Sequence, residues 1–189
     1  MVENENQSKC LTSHSFCYVN ECQTVPELVD KLVSHHQLFL KPAIAGMRFT
    51  ARQIKRKCEP MNESLAKVIF YFEELANNQM EHMSHEETIL FPYIKSLYRK
   101  PQKESGLQLK KPFYMLEEEH EHAAEDLEYL RAHSNNFTAP ENACYLIRGF
   151  FKDLKIMEQD LLLHQYIEDN ILHPRVLQKE AQDSLSAFV

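Results

Sequence analysis

The strongest constraint on this chain is a stretch that occurs twice. Residues 82–94 read His-Met-Ser-His-Glu-Glu-Thr-Ile-Leu-Phe-Pro-Tyr-Ile, and residues 164–176 read His-Gln-Tyr-Ile-Glu-Asp-Asn-Ile-Leu-His-Pro-Arg-Val. Aligned without a gap, both spell His-x3-Glu-acid-x-Ile-Leu-x-Pro. A His and a Glu four residues apart lie on one helical face, one turn above the other. The proline ten residues after the His is expected to stop the helix or start its exit. Two such faces on two helices can converge on one buried point, and that point reads as a metal site.

The remainder of the chain reads as its housing. Only three glycines in 189 residues argue against a turn-rich β protein, and an apolar fraction of 43% suffices for one core. Thr24-Val25-Pro26-Glu27 is a helix start, with Thr as cap, Pro in the first turn and Glu three residues after the cap. Helix 1 then carries Leu28, Leu32, Val33, His36 and Leu40 and continues past Pro42, with a kink, towards Cys58. A break at Glu59-Pro60-Met61-Asn62 precedes a second helix running to about Phe91, with Leu65, Val68, Ile69, Phe72, Leu75, Met80 and Met83 in phase. A basic connector over residues 99–111 leads to a third helix starting near Pro112. Thr138-Ala139-Pro140-Glu141 repeats the start signal ahead of a fourth helix through Leu154, Leu161, His164 and Ile171. The expected fold is all-α, an up-down-up-down four-helix bundle over residues 24–177. Residues 1–23 form an arm, and residues 178–189 a frayed tail.

Four of the ten histidines fall in phase with the apolar stripes of the four helices: His36, His82, His120 and His164. His82 and His164 each bring a Glu one turn on, Glu86 and Glu168. Four imidazoles and two carboxylates exceed what one tetrahedral zinc takes. They suit two irons, each with two His, carboxylate-bridged by both Glu, with room for an oxo bridge and a substrate. His35 adjoins His36, and only one of the two can face inward. Asp169 adjoins Glu168 and competes with it for the site. His85, His122 and His173 lie off the ligand line, His85 and His173 as candidate outer partners; His14 and His133 read as solvated. Tyr71, Tyr114 and Tyr166 are either outer hydrogen-bond donors or core aromatics.

A net charge of −7 gives no reason to expect nucleic acid or an anionic membrane as partner, and no apolar run is long enough to span a bilayer. The polar, acidic N-terminus is unlike a secretory signal, so a cytoplasmic location with reduced thiols is expected. Cys10, Cys17 and Cys22, at C-x6-C and C-x4-C spacing, match neither a zinc knuckle nor a C-x-x-C redox pair.

These motifs resemble the hemerythrin-like (HHE cation-binding) domains over about residues 24–177, and among them the di-iron proteins that repair iron centres. The resemblance rests on His82-Met83-x-x-Glu86-Glu87-x-Ile89-Leu90-Phe91-Pro92, on Glu119-His120-x-x-Ala123 and on His164-x3-Glu168-x-Asn170-x-Leu172-x-Pro174-Arg175. It implies the ligands His36, His82, Glu86, His120, His164 and Glu168, with both Glu bridging. It also implies a role for Glu119 near the access route, relaying protons or a leaving iron. The function it implies is a nitrosative or oxidative stress response: repair of damaged iron–sulfur clusters by iron donation, by nitric oxide reduction, or both. Expected partners are apo or damaged iron–sulfur proteins and small molecules such as nitric oxide or oxygen, with a homodimer as a candidate assembly. Oxygen-carrying hemerythrins have His-x3-His on helix 3, where this chain has Ala124. The competing reading is a hemerythrin-type module for oxygen or iron binding, sensing or storage. A ferritin-like oxidase, wanting Glu-x-x-His on two helices, finds it only at Glu117-x-x-His120.

Overall fold

In a computed structural model of the chain, residues 24–58, 63–99 and 110–186 are described. The arm with Cys10, Cys17 and Cys22, the break at residues 59–62 and most of the basic connector lie outside them. The described residues are helical apart from caps and one connection: α1 Val25–His35, α2 Lys41–Lys57, α3 Glu63–His85, α4 Phe91–Arg99, α5 Lys110–His133, α6 Tyr145–Ile167 and α7 His173–Ser186. Three π turns join these segments into longer rods: His36–Leu40 between α1 and α2, Glu86–Leu90 between α3 and α4, Glu168–Leu172 between α6 and α7. With α5 they make the four rods of the expected bundle.

Contacts fix the direction of each rod. Lys95 pairs with Asp30 and Lys41 with Glu87, so the first two rods run antiparallel. Ser64 Oγ donates to the His133 carbonyl, joining the start of the second rod to the end of the third. Cys58 lies against Cys144, joining the end of the first to the start of the fourth. Among the described residues no helix is long and apolar enough to cross a membrane.

The capping box predicted at Thr24 is present, with the Thr24 side chain accepting from Glu27 N–H and Glu27 accepting from Thr24 N–H. The first rod continues past Pro42, as expected, but Pro92 and Pro174 behave otherwise than expected. Pro42, Pro92 and Pro174 end no rod: α4 runs on to Arg99 and α7 to Ser186, through the stretch expected to fray from Gln178. In a regular α-helix the proline ring collides with the carbonyl four residues back and lacks the N–H that would bond it. Here each proline follows a widened turn closed one residue later, by Lys41 N–H to His36 O, Phe91 N–H to Glu86 O and His173 N–H to Glu168 O. The extra residue shifts the hydrogen-bond register just ahead of the ring, and the rod continues.

The second start signal also misleads. Pro140 and Glu141 sit in a turn closed by Ala143 N–H to Pro140 O, and α6 begins only at Tyr145. The cause lies upstream. Asn135, Asn136 and Phe137 take left-handed backbone (φ 50°, 53° and 58°), tolerable for Asn and strained for Phe. Burial of the Phe137 ring and the bond from its N–H to Ser134 Oγ hold it there. The chain then needs further residues to reach the fourth rod.

Two apolar cores fill the bundle. One, around Ile44, Phe72, Leu75, Leu127, Phe150 and Leu154, occupies the end with the α5–α6 connection. The other, around Leu28, Phe91, Ile94, Leu116, Ile167 and Leu172, occupies the opposite end. The buried histidines and glutamates form the layer between them. Phe72 and Phe150, both fully buried, meet edge to face at 5.2 Å and couple α3 to α6. Phe150→Ala is expected to cost about 3–5 kcal/mol, read as a lower urea midpoint. Its neighbour Gly149 offers open space for a Cβ, so Gly149→Ala is expected to raise stability by roughly 0.5–1 kcal/mol in the same titration.

Candidate metal centre

Each rod delivers its polar residues where its turn widens or its face crosses the middle layer. His36, Glu86 and Glu168 are the first residues of the three π turns. In each case the residue stands six positions before a proline: His36 and Pro42, Glu86 and Pro92, Glu168 and Pro174. The sequence repeat therefore has a third, shorter copy on the first rod.

All six expected residues are buried, and they converge. His36 Nε2 lies 2.9 Å from His164 Nε2, and His82 Nε2 lies 3.3 Å from His120 Nε2. The carboxylates stand between these pairs. Glu86 Oε2 is 3.5 Å from both His36 Nε2 and His82 Nε2. Glu168 reaches His164 Nε2 with Oε1 at 2.9 Å and His120 Nε2 with Oε2 at 3.3 Å. Two groups with metal-ligand geometry result, His36-Glu86-His164-Glu168 and His82-His120-Glu168.

Proximity is not hydrogen bonding here. Both oxygens of Glu86 and both of Glu168 are fully buried without a well-formed hydrogen bond, although Glu168 Oε1 lies 2.9 Å from a ring nitrogen. The imidazole nitrogens and carboxylate oxygens crowd one small space at angles that suit a shared central charge better than one another. Two nitrogens about 2.1 Å from one cation, at angles between a right angle and tetrahedral, stand roughly 3.0–3.4 Å apart. The His82–His120 pair, at 3.3 Å, falls within that range, and the His36–His164 pair, at 2.9 Å, lies just below it. Four orphaned carboxylate oxygens in a dry layer would be costly without a cation, so the residues present fit a pair of metal ions.

The protonation preferences of the metal-free cluster describe the same conflict. Burial, and then the neighbouring Glu168, pushes the Glu86 carboxyl well above its ordinary range. Glu168 is also opposed by burial, but His164 and His120 hold it well below. Burial, reinforced by His164, lowers His36 to about 2, which leaves it neutral and able to donate a lone pair. Burial works against the His120 cation too, but the bond to Asp169 and the nearby Glu168 carboxylate carry it up to about 9.

Outside the cluster, three of the four imidazoles give Nδ1 to a carboxylate. His36 Nδ1 is 3.1 Å from Glu87, which Lys41 grips at 2.8 Å. His120 Nδ1 is 3.0 Å from Asp169. His82 Nδ1 is 2.7 Å from Glu119, whose other oxygen takes His85 Nδ1 at 2.9 Å. Such bonds fix the tautomer that aims Nε2 inward and make the ring a better donor. They also explain the second acid of the repeat: Glu86 and Glu168 turn inward, while Glu87 and Asp169 each orient the lone histidine of an adjacent rod. The same bonds separate Glu168 from Asp169.

His36, not His35, enters the cluster. His35 stacks on His164 at 5.5 Å and pairs with Asp160 at 3.2 Å. His173 is buried beside Asp169 at 3.6 Å, and burial lowers its basicity. His122 is exposed, as expected. His133 is half-buried rather than solvated, and its Nδ1 bonds the Tyr129 carbonyl. Tyr71 stacks on Tyr129 and Tyr166 is exposed, so neither approaches the cluster. The side chains of Tyr114 and Glu117 lie outside the described residues. Ala124 is exposed and Ala123 buried, so the turn after His120 adds no ligand.

The family model of the hemerythrin HHE cation binding domain matches residues 27–176. A probable iron-sulfur cluster repair protein of Haemophilus influenzae is 25% identical over 176 residues, covering 93% of this chain and 72% of that protein. The iron-sulfur cluster repair protein YtfE of Escherichia coli O157:H7 is 27% identical over 154 residues, covering 82% and 67%. The YtfE of Yersinia pseudotuberculosis is 35% identical over 100 residues, covering 53% of this chain and 42% of its own length.

Removing an outer carboxylate tests whether it works through the ring it holds. Asp169→Asn is expected to weaken metal retention roughly 10–100-fold in competition against a chelator. Replacing half-buried Asp126, which lies away from the cluster and pairs with Asn78 at 2.9 Å, should leave retention unchanged.

Proposed function

The chain belongs to the hemerythrin HHE cation-binding domain family, and on that premise we propose that it carries two irons and serves the repair of damaged iron–sulfur clusters. In this reading His36 and His164 hold one ion and His82 and His120 the other, with Glu86 and Glu168 bridging. The observation that carries it is the set of four buried carboxylate oxygens without hydrogen bonds, facing four inward Nε2 atoms. Iron bound there would supply one-electron chemistry and an exchangeable cation.

The surrounding residues support donation of that cation to apo or damaged iron–sulfur proteins. The His82–His120 half borders Glu119, His85 and Asp169, with side chains 26%, 39% and 40% exposed. The His36–His164 half is backed by His35, fully enclosed His36 and a Glu87 already neutralised by Lys41. The first half thus has a short polar path to water, lined by carboxylates that attract a cation. Bonds from His82 and His85 hold the Glu119 carboxyl below its ordinary range, against the opposing effect of burial. An ionised Glu119 can hold the proton of His82 Nδ1 and pass charge towards His85, the relay role assigned to it here. Nitric oxide reduction at the same pair of ions, and oxygen or iron sensing or storage, are the competing outcomes. The names of the related proteins support repair. A cytoplasmic setting with iron–sulfur proteins as partners belongs to the same proposal.

Protein purified without chelator is expected to hold two irons per chain and to show an oxo-bridge charge-transfer band. The double variant Glu86→Ala, Glu168→Ala should lose most of the iron and the transfer of iron to an apo iron–sulfur protein. A double variant that keeps both irons overturns the ligand set. Iron-loaded protein that restores no cluster overturns the repair reading. Chelation should lower the thermal midpoint, since a site absent from the unfolded chain adds its binding energy to folding.

A further inference from the structure

The metal site leaves unused one pair of reactive side chains that the fold brings together. Cys58 caps the C-terminal end of α2 and Cys144 is the residue from which α6 starts. They are 86 positions apart in sequence, yet their Sγ atoms lie 2.7 Å apart. Both are free and half-buried. Cys58 also lines a cavity of about 570 Å³ with Ser64, Asn142 and Glu141, which opens the Cys58 side of the pair to a small molecule. We propose that Cys58 and Cys144 are a redox-active dithiol that exchanges with low-molecular-weight disulfides and, when oxidised, ties the first rod of the bundle to the fourth.

The two sulfurs have different roles. Burial opposes a thiolate at Cys144, but the Cys58 thiol, the N–H groups of Ile147 and Leu146, and Arg148 together lower its pKa. The sulfur closes no full capping hydrogen bond, yet it sits where the unpaired N–H groups of a long helix favour negative charge. Cys58 is shifted the other way, first by its bond to Cys144 and then by burial. In the proposed exchange Cys144, placed at the start of α6, is the attacking thiolate and Cys58 the resolving thiol.

Cys144 S⁻ attacks one sulfur of the external disulfide, forming a mixed disulfide and expelling one thiolate. Cys58 then loses its proton and attacks the Cys144 sulfur, forming the Cys58–Cys144 bond and expelling the second thiolate. The protein gives up two electrons and two protons, and the external disulfide becomes two thiols. The reverse exchange with thiols of the same class restores the dithiol. His36 and His164 lie on the same two rods, about 30 Å away by helix rise. Oxidation would therefore brace the two rods that carry one half of the metal site, without touching it.

The test is treatment of the reduced full chain with glutathione disulfide, followed by peptide mapping without reduction. The expected product joins the peptides that contain Cys58 and Cys144, with loss of two hydrogens, and dithiothreitol separates them. The oxidised chain should melt about 5–15 °C higher, because the bond closes a long loop. Cys58→Ser should stop the exchange at the first step, leaving glutathione attached at Cys144. Cys144→Ser should leave Cys58 unmodified. No 58–144 linkage in the unmodified chain overturns the proposal, and so does reaction confined to Cys10, Cys17 and Cys22. That decision needs neither variant to fold.

Discussion

Two carboxylates buried at the centre of a helical bundle without hydrogen bonds are the constraint on which this structure depends. Glu86 and Glu168 are fully enclosed, and their oxygens face ring nitrogens and each other across the same space. A carboxylate in such surroundings must be neutralised, paired or metallated. Metal-free, the pair divides the difference: burial favours the protonated form of Glu86, while His164 and His120 favour the charged form of Glu168. A pair of cations removes the conflict for both at once. Apolar cores on either side of the layer withhold water and so make the demand for positive charge stronger.

The backbone is shaped to meet that demand. An α-helix returns to the same face every 3.6 residues, so a rod that must aim a side chain inward and then go on packing its apolar stripe loses register. One extra residue in a π turn restores it. Three rods use this device at the residue that enters the cluster, each with a proline just after the turn. The remaining rod, α5, brings only His120 into the cluster and has no π turn in its described length.

The convergence of the buried His and Glu residues was legible because the pattern is local: His-x3-Glu is a helical spacing, and two copies with the same ending point to two rods meeting at one place. The partners of the outer ring nitrogens were not. Glu87 and Asp169 are visible as the second acid of each copy, but their targets, His36 and His120, lie on other rods 51 and 49 positions away. Their role follows from packing, not from spacing. Pro92 and Pro174 misled because propensity treats a proline as a break, whereas a shifted hydrogen-bond register absorbs it. Thr138-Ala139-Pro140-Glu141 misled for a tertiary reason: the buried ring of Phe137 keeps the backbone before it left-handed, and the fourth rod starts later.

The bundle has an approximate internal symmetry that relates the first rod to the third and the second to the fourth, and its breakdown is informative. His36 corresponds to His120, His82 to His164, and Glu87 to Asp169. The residue before the lone histidine is where the halves differ. Glu119 bonds His82 Nδ1 and adds a negative charge, whereas His35 stacks on His164 and pairs with Asp160. Lys41 offsets Glu87, but no lysine or arginine pairs with Asp169 among the described contacts. One half of the layer is therefore more anionic and closer to water, and the other is neutralised and enclosed. Two equal ions placed in such a layer would meet unequal surroundings, one enclosed and one beside an anionic rim. The residues just outside a repeated motif set its two halves in different environments, and its six inward residues stay the same.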